Sequence, residues 1–214
     1  MSNPFDALTE KVYPTLVDDE PPSYEEVVKP TDTKTETDDL ALVLKAADFA
    51  ARRHRQQKRK DLKQTPYINH PVGVAHILTD IGDVKDTVTL VAALLHDTVE
   101  DTKTTIEEIE WEFGTEVRSI VAELTEDKTL PREQRKKIAV DKADQLSSKA
   151  RVIQLADKLY NLRDLERAIP IGWSKGHVRE YVDWSRELVQ KIRNTNEAIE
   201  AELDDTINRF LAKR

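Results

Sequence analysis

Apolar residues recur every three or four positions along most of the chain after residue 39, which is the spacing of amphipathic helices. The first apolar stripe runs from Leu40 to Ala51, after a start at residues 37–39. Further helices are predicted to begin near Pro71, Val88, Thr105, residue 116, Pro131 and Ser148, and a last long helix or pair covers about residues 174–212. No segment shows the alternation of a half-buried strand. The pattern predicts an all-α bundle with its site between helices.

The first 39 residues have a different composition. They hold five of the nine prolines, no glycine, and eleven acidic residues against three lysines. Few apolar residues there fall at helical spacing, so we expect residues 1–39 to be a disordered acidic tail and residues 40–214 to be the folded domain.

The tail contains the sequence Pro21-Pro22-Ser23-Tyr24, which has the form of a PPxY ligand. Two prolines favour an extended polyproline turn, and the tyrosine supplies an aromatic anchor. Pro21, Pro22 and Tyr24 are therefore a candidate contact for a WW-domain protein. A chance motif in a proline-rich tail is the alternative.

Charge and composition exclude several classes of protein. The net charge is −8, but residues 40–214 contain 30 acidic and 30 basic residues, so the acidic excess belongs to the tail. A neutral body argues against binding of a nucleic acid polymer. The chain has no cysteine, no apolar run long enough to span a membrane and no secretory signal, so we expect a cytoplasmic protein.

The sequence His96-Asp97-Thr98-Val99-Glu100-Asp101 concentrates candidate chemistry in six residues. On one continuous helix, His96 would lie next to Glu100, and Asp97 next to Asp101. The preceding residues 91–95 are apolar and read as buried. Polar side chains at that density are costly inside a protein unless a cation lies among them.

A divalent metal needs three or four convergent ligands, so His96 and Asp97 require partners from elsewhere. The best candidates are His70, just before Pro71, and Asp157, within an otherwise apolar helix. His70 could instead cap a helix, and Asp157 could pair with Lys158 or Arg163. Glu100 and Asp101 could be a solvated carboxylate pair.

Together these residues resemble the H…HD…D signature of the HD-domain metal phosphohydrolases. The flanking segments resemble more specifically the hydrolase domain of RelA/SpoT proteins, and most closely the stand-alone metazoan SpoT-like hydrolases, over about residues 40–200. The segments that carry the resemblance are His54-Arg55-Gln56-Gln57 with Arg59-Lys60, residues 65–71 (TPYINHP), residues 94–102 (LLHDTVEDT), Asp127-Lys128-Thr129 and residues 155–162 (LADKLYNL).

The resemblance implies an all-α HD-domain bundle that binds one Mn²⁺ per chain. It also implies a guanosine-3′,5′-bis(diphosphate) 3′-diphosphatase, which removes diphosphate from the 3′ position of the stringent-response alarmone ppGpp to give GDP. Matched position by position, His70, His96, Asp97 and Asp157 correspond to the metal ligands, and Glu100 and Asp101 to the catalytic acidic pair. Arg59, Lys60, Asn161 and Tyr181 correspond to substrate contacts, although Gly176-His177 near Tyr181 departs from the charged pair of close relatives.

Two alternatives remain open at the level of sequence. One is an HD phosphohydrolase of another specificity, such as the NADPH phosphatase activity also described for animal members. The other is an adaptor that recruits WW-domain proteins through its tail.

Overall fold

The first helix of the described chain turns an apolar stripe toward the centre of the molecule. The structure is a computed structural model and describes residues 36–212. Helix α1 (Glu36–Arg53) begins three residues before Asp39 and buries Ala46, Phe49 and Ala50. Leu40 and Leu44, which belong to the predicted stripe, are exposed. The predicted disordered tail up to residue 35, including the motif at Pro21, Pro22 and Tyr24, lies outside the described residues.

The other helices follow in the predicted order, and within residues 36–212 the longest connection is residues 54–68 between the first two helices. They are α2 (Asn69–Asp80), α3 (Thr87–Leu95), α4 (Thr98–Asp101), α5 (Ile106–Phe113), α6 (Thr115–Leu124), α7 (Arg132–Lys142), a 3₁₀ turn (Ala143–Gln145), α8 (Ser148–Arg167), α9 (Lys175–Lys191) and α10 (Glu197–Ala212). Residues 36–212 contain no β-strand, and Lys58 and Pro66 form only an isolated bridge. The all-α prediction is confirmed, and the last segment is a pair of helices.

Helix α3 lies at the centre of the bundle because nearly all of its side chains are apolar. Residues 91–95 are all buried, and the helix packs against α1, α2, α6 and α8. A helix that is apolar on every side is stable only when neighbours surround it. Its C-terminal end therefore delivers the next two residues, His96 and Asp97, into the interior.

Helix α8 supplies the other long buried surface. Val152, Leu155, Leu159 and Leu162 are buried as the apolar spacing predicts, and the helix packs against α2, α3, α6, α9 and α10. The predicted cap at Ser148 is wrong by one residue. Ser147 has the extended backbone of an N-cap, and its hydroxyl accepts a hydrogen bond from the Ala150 amide.

The expectation of one continuous helix through residues 88–101 is also wrong. Helix α3 ends at Leu95, and the single turn α4 begins at Thr98. The Thr98 hydroxyl donates to the Leu95 carbonyl oxygen at 2.6 Å, so a side chain competes for an acceptor that a continuous helix would use. The break lies at His96 and Asp97, between two helical segments.

The described residues all belong to one compact unit. Within this part of the chain, no helix combines the length and apolar character that crossing a bilayer requires.

Gly73 on α2 allows α2 and α8 to approach closely at the site. A Cβ atom at this position would lie 1.9 Å from Cε2 of Tyr160, whose ring packs edge-on against the His70 imidazole. We predict that Gly73→Ala destabilises the fold by about 1–3 kcal/mol, because the Tyr160 ring must leave its packed position. Urea unfolding followed by circular dichroism measures this change.

Gly176→Ala is the matched control, because a Cβ there meets only the Ser174 hydroxyl oxygen at 3.6 Å. Helix propensity makes that variant neutral or up to about 1 kcal/mol more stable. Equal stability of wild type and Gly73→Ala would contradict the close approach.

Candidate active site

Four side chains from three separate segments converge in a small buried space. The imidazole Nε2 of His70, at the start of α2, lies 3.3 Å from Asp97 Oδ2 and 3.1 Å from Asp157 Oδ1. The His96 Nε2 atom lies 3.2 Å from Asp97 Oδ2 and 3.9 Å from Asp157 Oδ1. His70 and His96 are almost fully buried. The structure thus brings together all four residues that were predicted as metal ligands.

The hydrogen bonds of His96 indicate that a cation belongs in this space. Its Nδ1 lies 2.7 Å from the Ala93 carbonyl oxygen, which can only accept, so Nδ1 carries a proton. In a neutral imidazole Nε2 is then a bare acceptor, yet it is buried, faces carboxylate oxygens and finds no hydrogen-bond partner among residues 36–212. Two acceptors facing each other repel unless a proton or metal ion lies between them.

The carboxylates of the cluster favour a positive charge at this place. Burial alone would lower the pKa of His96, but the Asp97 carboxylate outweighs it and raises this pKa to about 9. Burial would raise the pKa of Asp97, but the His96 and His70 imidazoles hold it well below its usual range. His70, His96 and Asp97 offer ligand atoms within 4.8 Å of one another. Two nitrogen and two oxygen donors fit a divalent first-row metal ion.

Neighbouring side chains fix the orientation of both carboxylates. The Tyr67 hydroxyl donates to Asp97 Oδ2 at 2.7 Å. Asn161 Nδ2 donates to Asp157 Oδ1, and the buried Lys158 ammonium donates to Asp157 Oδ2, each at 2.7 Å. Such outer partners hold metal ligands in a binding orientation. The pairing of Asp157 with Lys158, considered as a surface alternative, is therefore present but buried in the cluster.

The two acidic residues of α4 lie beside this cluster and are not freely solvated. Asp101 accepts a hydrogen bond from Gln57 Nε2 at 2.7 Å and also contacts the Lys128 ammonium. Glu100 Oε1 lies 3.6 Å from Lys128 Nζ and 3.7 Å from Arg135. Burial raises the pKa of Glu100, and the nearby Asp97 and Glu126 carboxylates raise it further.

A cavity of about 850 Å³ opens next to the cluster. Its wall includes Tyr67, Asp101 and Asn161. Because Tyr67 donates a hydrogen bond to Asp97 and Asn161 donates one to Asp157, the cavity lies next to both carboxylates. Five basic residues line it, against the three acidic residues Asp61, Asp101 and Asp164; the basic ones are Lys58, Arg59, Lys60, Lys63 and Arg167. A local concentration of cations in a largely neutral body is suited to a small phosphorylated ligand.

Arg59 is the most firmly held of these cations. Its guanidinium donates to Asn161 Oδ1 at 2.8 Å and to Asp164 Oδ2 at 3.0 Å. It also lies 5.6 and 5.7 Å from the ring centroids of Tyr67 and Tyr160. Lys60 is exposed at the cavity, and Tyr181 lines it from α9. The four residues predicted as substrate contacts therefore share one cavity.

Several residues of the site carried no assigned role in the sequence. Gln57, Tyr67, Lys128 and Lys158 each contact one of the acidic residues of the site. All four lie inside the segments that carry the family resemblance, so the resemblance is the sequence signal that could have identified them. Arg135 lies outside those segments.

Comparisons with known proteins identify the family of this chain. The family model described as "HD domain" matches residues 46–175. A protein of Xenopus tropicalis described as guanosine-3′,5′-bis(diphosphate) 3′-pyrophosphohydrolase MESH1 is 57% identical over 166 residues, covering 78% of this chain and 93% of the relative. The human protein of the same description is 54% identical over 165 residues, covering 77% and 92%.

Solved structures show the same fold. One, described as a metazoan ortholog of SpoT that hydrolyzes ppGpp and plays a role in starvation responses, aligns with a TM-score of 0.78 at 41% identity and covers 79% of this chain and 95% of that one. A Listeria monocytogenes protein aligns with a TM-score of 0.57 at 28% identity and covers 67% and 99%. The predicted resemblance is confirmed, and this chain belongs to the HD-domain family.

Proposed function

We propose that this chain is a metal-dependent phosphohydrolase that removes diphosphate from the 3′ position of ppGpp and releases GDP. The observation that carries the proposal is the placement of the buried His70, His96, Asp97 and Asp157 cluster beside an acidic pair and a cation-lined cavity. The activity named for the frog and human relatives is consistent with this arrangement. These relatives are matched over more than nine-tenths of their length.

We assign the metal to His70, His96, Asp97 and Asp157, and we propose Mn²⁺ as the ion on the basis of the family resemblance. The bare Nε2 of His96 and the mixed nitrogen and oxygen donors support a divalent ion at this place. A divalent cation held there makes water more acidic and offsets the negative charge of the phosphoryl oxygens. The expected site of action is the cytoplasm.

Glu100 and Asp101 are assigned to proton transfer. Asp101 accepts hydrogen bonds from Gln57 and Lys128, an environment that suits a carboxylate able to take a proton from the attacking water. Glu100 has a raised pKa, so it retains a proton to higher pH than an ordinary glutamate and suits donation to the leaving group. Two carboxyl groups in unlike surroundings thus take unlike roles.

The cavity is assigned to the nucleotide. Arg59 presents a planar guanidinium near the rings of Tyr67 and Tyr160. Such a group is suited to stacking on a purine while its charge attracts phosphate. Lys60, Asn161 and Tyr181 contribute further polar and aromatic groups to this wall.

The substrate is tested with the purified full chain, Mn²⁺ and a panel of ppGpp, NADPH and common nucleotides. We predict that ppGpp gives the highest kcat/KM and that the products are GDP and diphosphate, separated by anion-exchange chromatography. Release of phosphate from NADPH without release of diphosphate from ppGpp would contradict the proposed substrate.

Replacing both acidic residues, Glu100→Ala with Asp101→Ala, separates chemistry from metal binding. We predict a loss of about 10²–10⁴-fold in kcat, because proton transfer is removed, while one metal ion per chain remains. Elemental analysis and the ppGpp assay measure the two quantities. Loss of the metal, or a wild-type rate, would count against the assignment.

Asp157→Ala is expected to have the opposite effect on the metal. Removing a ligand should weaken metal affinity by more than about 100-fold, beyond the loss that an outer partner causes. Asp164→Ala is the matched control, since Asp164 pairs with Arg59 across the cavity wall. Both variants are stripped of metal with a chelator, and their affinities for Mn²⁺ are measured by titration calorimetry. Equal affinities of Asp157→Ala and Asp164→Ala would refute the ligand set.

A further inference from the structure

A short hydrogen-bonded chain leads from the catalytic side of the site to a buried histidine. Gln57 lies in the loop between α1 and α2, and its Nε2 donates to Asp101 Oδ2 at 2.7 Å. The Oε1 atom of the same amide lies 2.8 Å from His54 Nδ1. His54 is buried, and its ring packs on that of Tyr67 with centroids 4.9 Å apart.

Hydrogen-bond chemistry fixes the direction of this chain. An ionised Asp101 can only accept, so the amide nitrogen of Gln57 must face it. The amide oxygen then faces His54 and can only accept, so the proton of His54 lies on Nδ1. Burial lowers the pKa of His54, which favours the neutral ring. Its Nε2 is consequently bare, and this atom is buried with no hydrogen-bond partner among the described residues.

The loop that carries Gln57 is itself closed by backbone hydrogen bonds. The Arg59 amide donates to the Thr65 carbonyl oxygen at 2.8 Å, and the Tyr67 amide donates to the Gln57 carbonyl oxygen at 3.1 Å. The His54 amide donates to the Ala50 carbonyl oxygen at 2.9 Å, so His54 continues the hydrogen bonding of α1. These bonds hold the backbone on both sides of Gln57. Lys128, which also contacts Asp101, is an exposed side chain.

We propose that His54 and Gln57 are positioning residues that hold the Asp101 carboxylate in one orientation for proton transfer. This inference rests on the proposed function. Gln57 lines the cavity and could also contact the substrate, but His54 is not part of the cavity wall. His54 is therefore the residue that separates positioning from substrate binding. A displaced catalytic group can reduce the rate by about 10²-fold.

The experiment compares three variants of His54 in the full chain with Mn²⁺ and ppGpp. His54→Asn places an amide N–H near the position of Nδ1 and keeps the donor to Gln57. His54→Gln places its amide near the position of Nε2, and His54→Leu has no donor. We expect His54→Asn to retain at least about a third of kcat, and the other two to lose about 10–100-fold in kcat with KM within about threefold.

The outcomes of this comparison separate a failure of the positioning role from a failure of the proposed function. Equal kcat in wild type and all three variants, or an equal loss in all three, would overturn the positioning role. A wild-type protein inactive toward ppGpp would instead refute the proposed function. Metal content and thermal melting of each variant are measured in parallel, so that loss of the metal or of the fold is distinguished from loss of positioning.

A second measurement remains available if a His54 variant fails to fold. Nitrogen-15 NMR of the wild-type imidazole should show the proton on Nδ1, independently of any substrate, and a proton on Nε2 alone would overturn the proposal. Gln57→Leu should lower kcat as His54→Leu does. The double variant should be no slower than Gln57→Leu, because both substitutions interrupt the same hydrogen-bonded chain to Asp101. Additive losses would contradict this.

Discussion

In the site, buried hydrogen-bond acceptors face one another, and this arrangement requires a cation. Asp97 and Asp157 direct oxygen atoms toward His70 and His96, and in a neutral His96 ring the proton on Nδ1 leaves Nε2 as an acceptor. Without a proton or metal ion these groups would repel one another in a place where water cannot screen them. The rest of the bundle holds them there: α3 ends at the cluster, α2 begins at it, and α8 runs past it.

Most of the supporting interactions come from two stretches of chain. The loop between α1 and α2 supplies Gln57 to Asp101, Arg59 to Asn161 and Tyr67 to Asp97. Helix α8 supplies Asn161 and Lys158 to Asp157. These contacts give a physical reason why the sequence around the ligands, and not only the ligands, carries the family resemblance. Gln57, Arg59, Tyr67 and Asn161 also line the cavity, so the proposed metal site and the proposed substrate site share several side chains.

Helical spacing was sufficient to predict the all-α fold, the order of the helices and the buried face of α8, because each depends on local periodicity. The break at His96 and Asp97 could not be predicted, since it depends on the Thr98 hydroxyl taking the Leu95 carbonyl oxygen. Family resemblance indicated which residues form the site. The contact of Lys128 with Asp101 joins residues 27 positions apart, and no local pattern reveals such a pairing.

The most direct test of this account is the position of the metal ion. Crystals grown with Mn²⁺ and measured near the manganese absorption edge give an anomalous difference map. We predict one strong peak within coordinating distance, about 2.0–2.3 Å, of His70 Nε2, His96 Nε2 and the facing oxygens of Asp97 and Asp157. A peak elsewhere, or no peak in an enzymatically active crystal, would contradict it.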